Sequence, residues 1–202
     1  MPNQINYSHT LATDPLRTFR FYAEFSETSD GVFNDKIKTG ASGGWTGGFT
    51  SISGLSINTQ NIQYREGGYN TTVHQIPGMT TFPPVTFSRG VLAGNDQAMV
   101  WMRGLFAVQA GGGAIATPGK SFRTDVTIYV NDHGNSAGAK TETPKMAIKL
   151  HNAWITTLNY TDLDATNGAI LFETMTLVHE GLSVFYTNAD GTPTAPVTSA
   201  MV

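Results

Sequence analysis

YREGGYNTTVHQIPGMTTFPPVTFSRG, residues 64–90, is rich in Tyr, Thr, Val and Ile but holds no continuous apolar run. Gly67-Gly68 and Pro77-Gly78 interrupt it, and such pairs mark turns or bulges in a strand. The stretch from Tyr64 to Thr86 therefore predicts a long, loosely twisted hairpin or arm. Pro83-Pro84 lacks two backbone donors and cannot sit centrally in a sheet, so a new strand starts at Val85-Thr86-Phe87 and runs to Arg89-Gly90.

The flanking sequence is read mainly as strands. Upstream, Phe19, Phe21, Ala23 and Phe25 alternate with Arg20, Tyr22 and Glu24, the period of a half-buried strand. Residues 27–48, ending in GASGGWTGG, are polar and glycine-rich and read as a loop insertion. Phe49 to Gln63 alternates through Ile52, Leu55, Ile57 and Ile62 and predicts a second strand, kinked at Gly54. Downstream, Asn95 or Asp96 caps a helix whose Ala98, Trp101, Met102, Leu105 and Phe106 share one face, which is expected to pack on the sheet. Gly111-Gly112-Gly113 ends that unit. Phe122 to Val130 alternates, Asn131-Asp132-His133-Gly134 reads as a turn, and Met146, Ile148 and Leu150 make the next strand. Ala153-Trp154 then leads to Leu158-Asn159-Tyr160, Ile170 to Val178 is the last long strand, and Leu182 to Tyr186 precedes a polar tail, 187–202, expected to be mobile. Glu173 shares a strand face with Leu171, Met175 and Leu177, where an unpaired carboxylate is costly, so it requires a cationic or backbone partner. The whole predicts a single mainly β domain over 1–202, a small β-barrel or sandwich with one flanking α-helix.

Composition narrows the function. The chain is 40% hydrophobic, enough for a core, and only 13% charged with a net charge of -3, which supports neither a nucleic-acid binder nor a polybasic membrane docker. It has no cysteine, so disulfides, thiolate metal sites and cysteine nucleophiles are out. His9, His74, His133, His151 and His179 show no paired spacing, and no metal or cofactor is expected. There is no G-x-S-x-G elbow and no phosphate-loop lysine; Asp162 and Asp164 fit a solvated loop better than a glycosidase pair, so no enzyme is expected. The start, MPNQINYSHTLATDPLRTF, lacks an apolar signal region, and nowhere do eighteen apolar residues run together. Synthesis in the bacterial cytoplasm without membrane binding is the expectation. A carbohydrate-binding sandwich using Trp45 or Trp154 as a stacking platform is the alternative from a different class.

Taken in order, Tyr64-Arg65-Glu66-Gly67-Gly68, Ile76-Pro77-Gly78, Val85 to Gly90, Trp101, Phe172-Glu173 and His179-Glu180-Gly181 resemble the tail-tube family of contractile phages and phage-derived contractile injection systems. The resemblance spans about Phe19 to Gly181; the 27–48 segment is longer than the family's pattern. It implies a small β-barrel with one helix, assembled as homo-hexameric rings stacked into a hollow tube inside a sheath. Sheath, baseplate and cap proteins, and cargo or DNA in the lumen, are the implied partners, and the particle is a virion tail or an injection device. A secreted type VI tube component has a similar fold and is the nearest rival. The resemblance further implies that a hairpin at roughly 60–86 reaches neighbouring copies. Tyr64, Arg65, Glu66, Gly67, Gly68, Pro77, Gly78, Arg89 and Gly90 are the expected subunit-interaction residues, with Arg65, Glu66 and Arg89 setting register between copies and Pro77-Gly78 reversing the arm.

Overall fold

A computed structural model describes residues 16, 18–26, 45–68, 71–109, 122–131, 144–166 and 168–186. Among the described residues ten strands and one helix follow one another: β1 (Phe21–Ser26), β2 (Trp45–Gly47), β3 (Ser51–Ser53), β4 (Asn58–Tyr64), β5 (His74–Thr81), β6 (Val85–Gly90), α1 (Gln97–Gln109), β7 (Thr124–Asn131), β8 (Pro144–Tyr160), β9 (Phe172–Val178) and β10 (Gly181–Tyr186). Eight of the strands form one antiparallel sheet in the order β2-β1-β7-β8-β9-β6-β3, with β10 on β8; β4 and β5 pair with each other in a separate two-stranded sheet.

The 17-residue β8 organises the body. Its first half pairs with β7 and β10, and its second half with β9. Trp154 opposes Val178 and His151 opposes Gly181, so β9 and β10 run as one long strand along β8, interrupted only at residues 179–180. At that interruption Asn152 adopts φ 52°. The left-handed residue shifts the alternation by one: Ile148 and Leu150 are buried before it, Ala153 and Ile155 after it. The expected break between Leu150 and Ala153 is therefore a bulge within a continuous strand. It divides the sheet into a first half, β2-β1-β7-β8-β10, and a second half, β8-β9-β6-β3.

The core lies between the halves. Phe25, Phe49, Phe87 and Trp101 meet there, Phe49 against Phe87 at 5.2 Å and Phe25 edge-on to Trp101 at 5.9 Å between ring centres. Trp101 comes from α1, as its helical spacing predicts, and its indole Nε1 donates to the Phe122 carbonyl at 3.1 Å. Asp96 caps α1, its carbonyl accepting from Val100 N at 2.9 Å. Phe106, expected on the packed face, is exposed.

The expected closed barrel is not formed. The ladder ends on β2 and β3, which are consecutive and joined by residues 48–50, so covalent chain links the two ends where hydrogen bonds would close a barrel. Phe49 in that link is buried, which holds both end strands against the core. The described part of the 27–48 segment is also not all loop, because Trp45–Gly47 pairs with Ala23–Phe25. The remainder of that segment, the triple glycine, the 132–134 turn and the tail from Thr187 lie outside the described residues.

Candidate functional site

The β4–β5 hairpin is an arm made of exposed residues along nearly its whole length. It begins earlier than predicted, at Asn58, because the chain leaves the sheet after β3. Gly54, at φ +91°, makes that exit: a Cβ there would lie 2.4 Å from the Pro84 carbonyl oxygen. The return strand leads through Phe82-Pro83-Pro84 into β6, so both strands of the arm are rooted at the same end of the second half-sheet.

Register gives the arm two unlike faces. Ile62 opposes Ile76 and Tyr64 opposes His74, while Asn61 opposes Pro77 and Gln63 opposes Gln75. Alternation puts the first four on one side and the second four on the other. Ile62 and Ile76 remain 50% and 47% exposed. An isolated two-stranded hairpin is marginal in water, and an amphipathic one needs a surface to cover its apolar side.

Pro77-Gly78 does not reverse the arm. Both lie within β5, where Gly78 and Met79 together oppose Gln60 in a bulge. A bulge tolerates the missing Pro77 donor, and the missing Gly78 side chain leaves room for the Gln60 carbonyl and the Ile62 side chain, each 3.1 Å from where a Cβ would be. Reversal falls instead at the far end, where Gly67-Gly68 form a turn with Gly68 at φ +97°. Tyr64, Arg65, Glu66, Gly67 and Gly68 thus occupy the arm's exposed tip.

Arg89 and Gly90 lie elsewhere, at the opposite end of the second half-sheet from the arm's root. Arg89 is buried within its own chain. Its Nε donates to Glu173 Oε2 at 2.6 Å, its Nη2 lies 2.5 Å from the same oxygen, and the Tyr160 hydroxyl donates to Glu173 Oε1 at 3.1 Å. Glu173 therefore has the cationic partner its position requires, and the charges fix the register of β6, β9 and β8. Burial, then the adjacent Glu173 charge and hydrogen bond, raises the Tyr160 hydroxyl pKa.

Two further features are not visible in sequence spacing, because their residues come from separate parts of the chain. The first is a polar cluster at the kink in β8. Lys149 Nζ lies 2.8 Å from Asp125 Oδ2, and Asp125 Oδ1 accepts from Asn152 N at 3.0 Å. Asn152 Nδ2 donates to Glu180 Oε2 at 2.8 Å, and Arg123 Nη1 lies 2.7 Å from Glu180 Oε1. Burial pushes the Asp125 carboxyl up, but the Lys149 and Asn152 hydrogen bonds and the Lys149 charge outweigh it and hold it below its ordinary value. The second is a rim of apolar side chains in the loops 91–96 and 161–171, at the end of the half-sheet that carries Arg89.

Among the described residues no group of three His, Cys, Asp or Glu side chains is placed to hold a metal, and no helix is long and apolar enough to cross a membrane. Asp164 accepts from Thr166 N at 2.9 Å and Thr166 Oγ1 at 2.6 Å, a local loop turn. Trp154 packs on the core with Phe122 edge-on at 6.1 Å, which leaves no exposed stacking platform there.

A model of the T4-like virus tail tube protein gp19 family matches residues 17–183, the span that includes every described strand up to the start of β10. The chain belongs to that family. The tail-tube assignment agrees with solved structures of similar fold. A chain of the anti-feeding prophage baseplate is 20% identical with a TM-score of 0.63, covering 85% of this chain and 96% of its own. A chain of the sheath-tube complex of an extracellular contractile injection system, PVC, is 22% identical with a TM-score of 0.60, over 86% and 93%. One from the anti-feeding prophage cap is 24% identical with a TM-score of 0.59, over 87% and 93%. A comparison with curated proteins gives no match.

Proposed function

We propose that this tail-tube protein is the repeating subunit of a hollow inner tube, built from homo-hexameric rings stacked end on end. The arm carries the reading: a separate, amphipathic two-stranded sheet, rooted in the body and exposed along both strands, whose apolar Ile62–Ile76 face stays half-exposed among the described residues. Neighbouring copies cover that face and give the arm's outer backbone groups partners by strand addition. Tyr64, Arg65, Glu66, Gly67 and Gly68 at the tip, and the Pro77-Gly78 bulge that shapes the limb, form the contact between copies. A modest contact repeated around each ring and between rings gives a durable tube from soluble subunits.

A surrounding sheath drives the tube as a piston, baseplate and cap close its ends, and cargo or DNA passes through the bore. The fold shared with chains of a sheath-tube complex, a baseplate and a cap supports these partners. Negative-stain microscopy of purified protein tests the reading. Rings or tubes are expected from wild type. Arg65→Ala and Gly68→Val are expected to leave a folded body, because the tip is remote from the core, while reducing tube yield and length. Concentrated wild-type protein that stays strictly monomeric refutes the proposal.

A further inference from the structure

We infer that His179 is an acid-sensitive latch: its neutral ring holds the root of the arm against the bend in the body, and protonation frees the root, so that acid weakens a subunit's hold on its neighbours. The last step rests on the tube reading. Pro83 and Pro84 have no N–H and give the sheet no backbone donors where the arm joins β6. Side-chain contacts take the place of a ladder there. His179 lies in the two-residue gap between β9 and β10, where Glu180 N donates to the His151 carbonyl at 2.9 Å and ties the gap to β8. Its ring is 7% exposed, packs on Phe82 of the root with 5.7 Å between ring centres, and bonds through Nδ1 to the Gly181 carbonyl at 2.9 Å. A carbonyl only accepts, so Nδ1 carries the hydrogen and Nε2 of the neutral ring has none. Among the described residues this buried Nε2 has no hydrogen-bond partner.

The surroundings do not offset a second proton on the ring. The root presents Phe82 and Pro83, which are uncharged. β8 presents His151, whose charge would have the same sign and whose Nε2 is bonded to Ser183 Oγ of β10 at 2.8 Å. Glu180, exposed in the same gap, is held by Asn152 and Arg123, and Asp125 of β7 is held by Lys149 and Asn152. Burial, and after it the His151 charge, keeps the imidazole pKa below its ordinary value, although the Gly181 and Pro83 carbonyls favour the charged ring. A ring freed into water takes up a proton near pH 6.5, and the held ring only at lower pH. Between those two values each unit of pH therefore favours the freed root by about tenfold.

Hydrogen exchange of the unassembled protein, read by mass spectrometry as protection relative to intrinsic rates, tests the latch between about pH 7.5 and about pH 5. Protection at residues 79–86 should fall as the pH drops below about 6.5, by up to about tenfold per unit, while β7 and β8 keep theirs. His179→Asn and His179→Gln, which cannot titrate, should hold a flat profile at the root. His74→Gln, at the far end of the arm beside Tyr64, should respond as wild type does. An unchanged root in wild type, an equal fall in both His179 variants, a response lost in His74→Gln, or a body that loses protection in step with the root overturns the latch. Tubes formed at about pH 7.5 and moved to about pH 5 should release subunits in sedimentation, and His179→Asn tubes should persist. Wild-type tubes that persist although the root loosens overturn the link to assembly. Wild-type protein that forms no tubes at either pH overturns the tube reading, and the exchange profiles still decide the latch.

Discussion

Replacing Arg89 by Met is the sharpest test of how this fold is held. The Arg89 and Glu173 side chains are 7% and 5% exposed, and Glu173 is hydrogen-bonded by Arg89 on one oxygen and Tyr160 on the other. Arg89→Met keeps an unbranched apolar stem of similar reach but removes the cation, leaving a buried carboxylate with the Tyr160 hydroxyl. Breaking a buried pair from one side costs about 3–5 kcal/mol. Against a total stability of about 5–15 kcal/mol, that is a large fraction. The double variant Arg89→Met, Glu173→Leu removes both charges and should recover most of the loss, since well-packed apolar replacements of buried pairs are often neutral. Urea unfolding followed by the fluorescence of core Trp101, at concentrations where the protein is monomeric, measures all three. A single-variant cost below about 1 kcal/mol, the value of an exposed pair, would refute the reasoning. So would a double variant no more stable than Arg89→Met.

Other substitutions separate steric from conformational demands. Gly54→Ala forces a Cβ onto the Pro84 carbonyl at φ +91° and should destabilise the arm's root by about 2 kcal/mol or more in the same assay; Gly68→Ala, at φ +97° in open space, should cost only about 1 kcal/mol. Asn152→Val, at φ 52° and without the bond to Glu180, should cost about 2 kcal/mol, whereas Asn152→Gly relieves the backbone conflict and should cost less. Burial holds the His179 imidazole pKa below 6.5, the nearby His151 adding to the effect and the hydrogen bond to the Gly181 carbonyl opposing it. The unfolded chain therefore takes up this proton first as pH falls. The resulting stability is complete above about pH 6.5 and lost as pH drops towards the folded pKa, and His179→Gln should flatten that part of a stability–pH curve.

Much of the body was legible because alternation survives burial on one face. Phe25, Phe87 and Val126 are core residues at positions the two-residue period marks, and Trp101 is where the helical period puts it. Glu173 was legible for the opposite reason, as a charge breaking an apolar face; the missing element was its partner, because Arg89 lies 84 residues away and pairs only through the sheet. The arm was legible as an irregular strand pair, but its reversal was expected at Pro77-Gly78. Pro77-Gly78 has the composition of a turn and lies in a bulge, and only the opposing strand tells the two apart. The kink in β8 was hidden because Asn152 is an ordinary polar residue in sequence, and its left-handed backbone is held by Asp125 of β7 and by Glu180 at the β9–β10 junction. The closed barrel failed on the smallest elements, β2 and β3, whose three residues each are too short to carry a period.

The kink also bears on assembly. Arm and rim both adjoin the second half-sheet, while β1, β2, β7 and β10 belong to the first, and β8 spans both halves. The angle between halves is therefore set where Asn152 faces residues 179–180. The ion pairs there, Lys149–Asp125 and Arg123–Glu180, are partly or largely solvated and add little stability. They join β7 to β8 and to the β9–β10 junction at the bend, so their consequence is orientation. A subunit that repeats its contact many times along a tube accumulates any error in that angle, which makes a cluster of weak bonds at one bend more consequential for the polymer than for the folded chain.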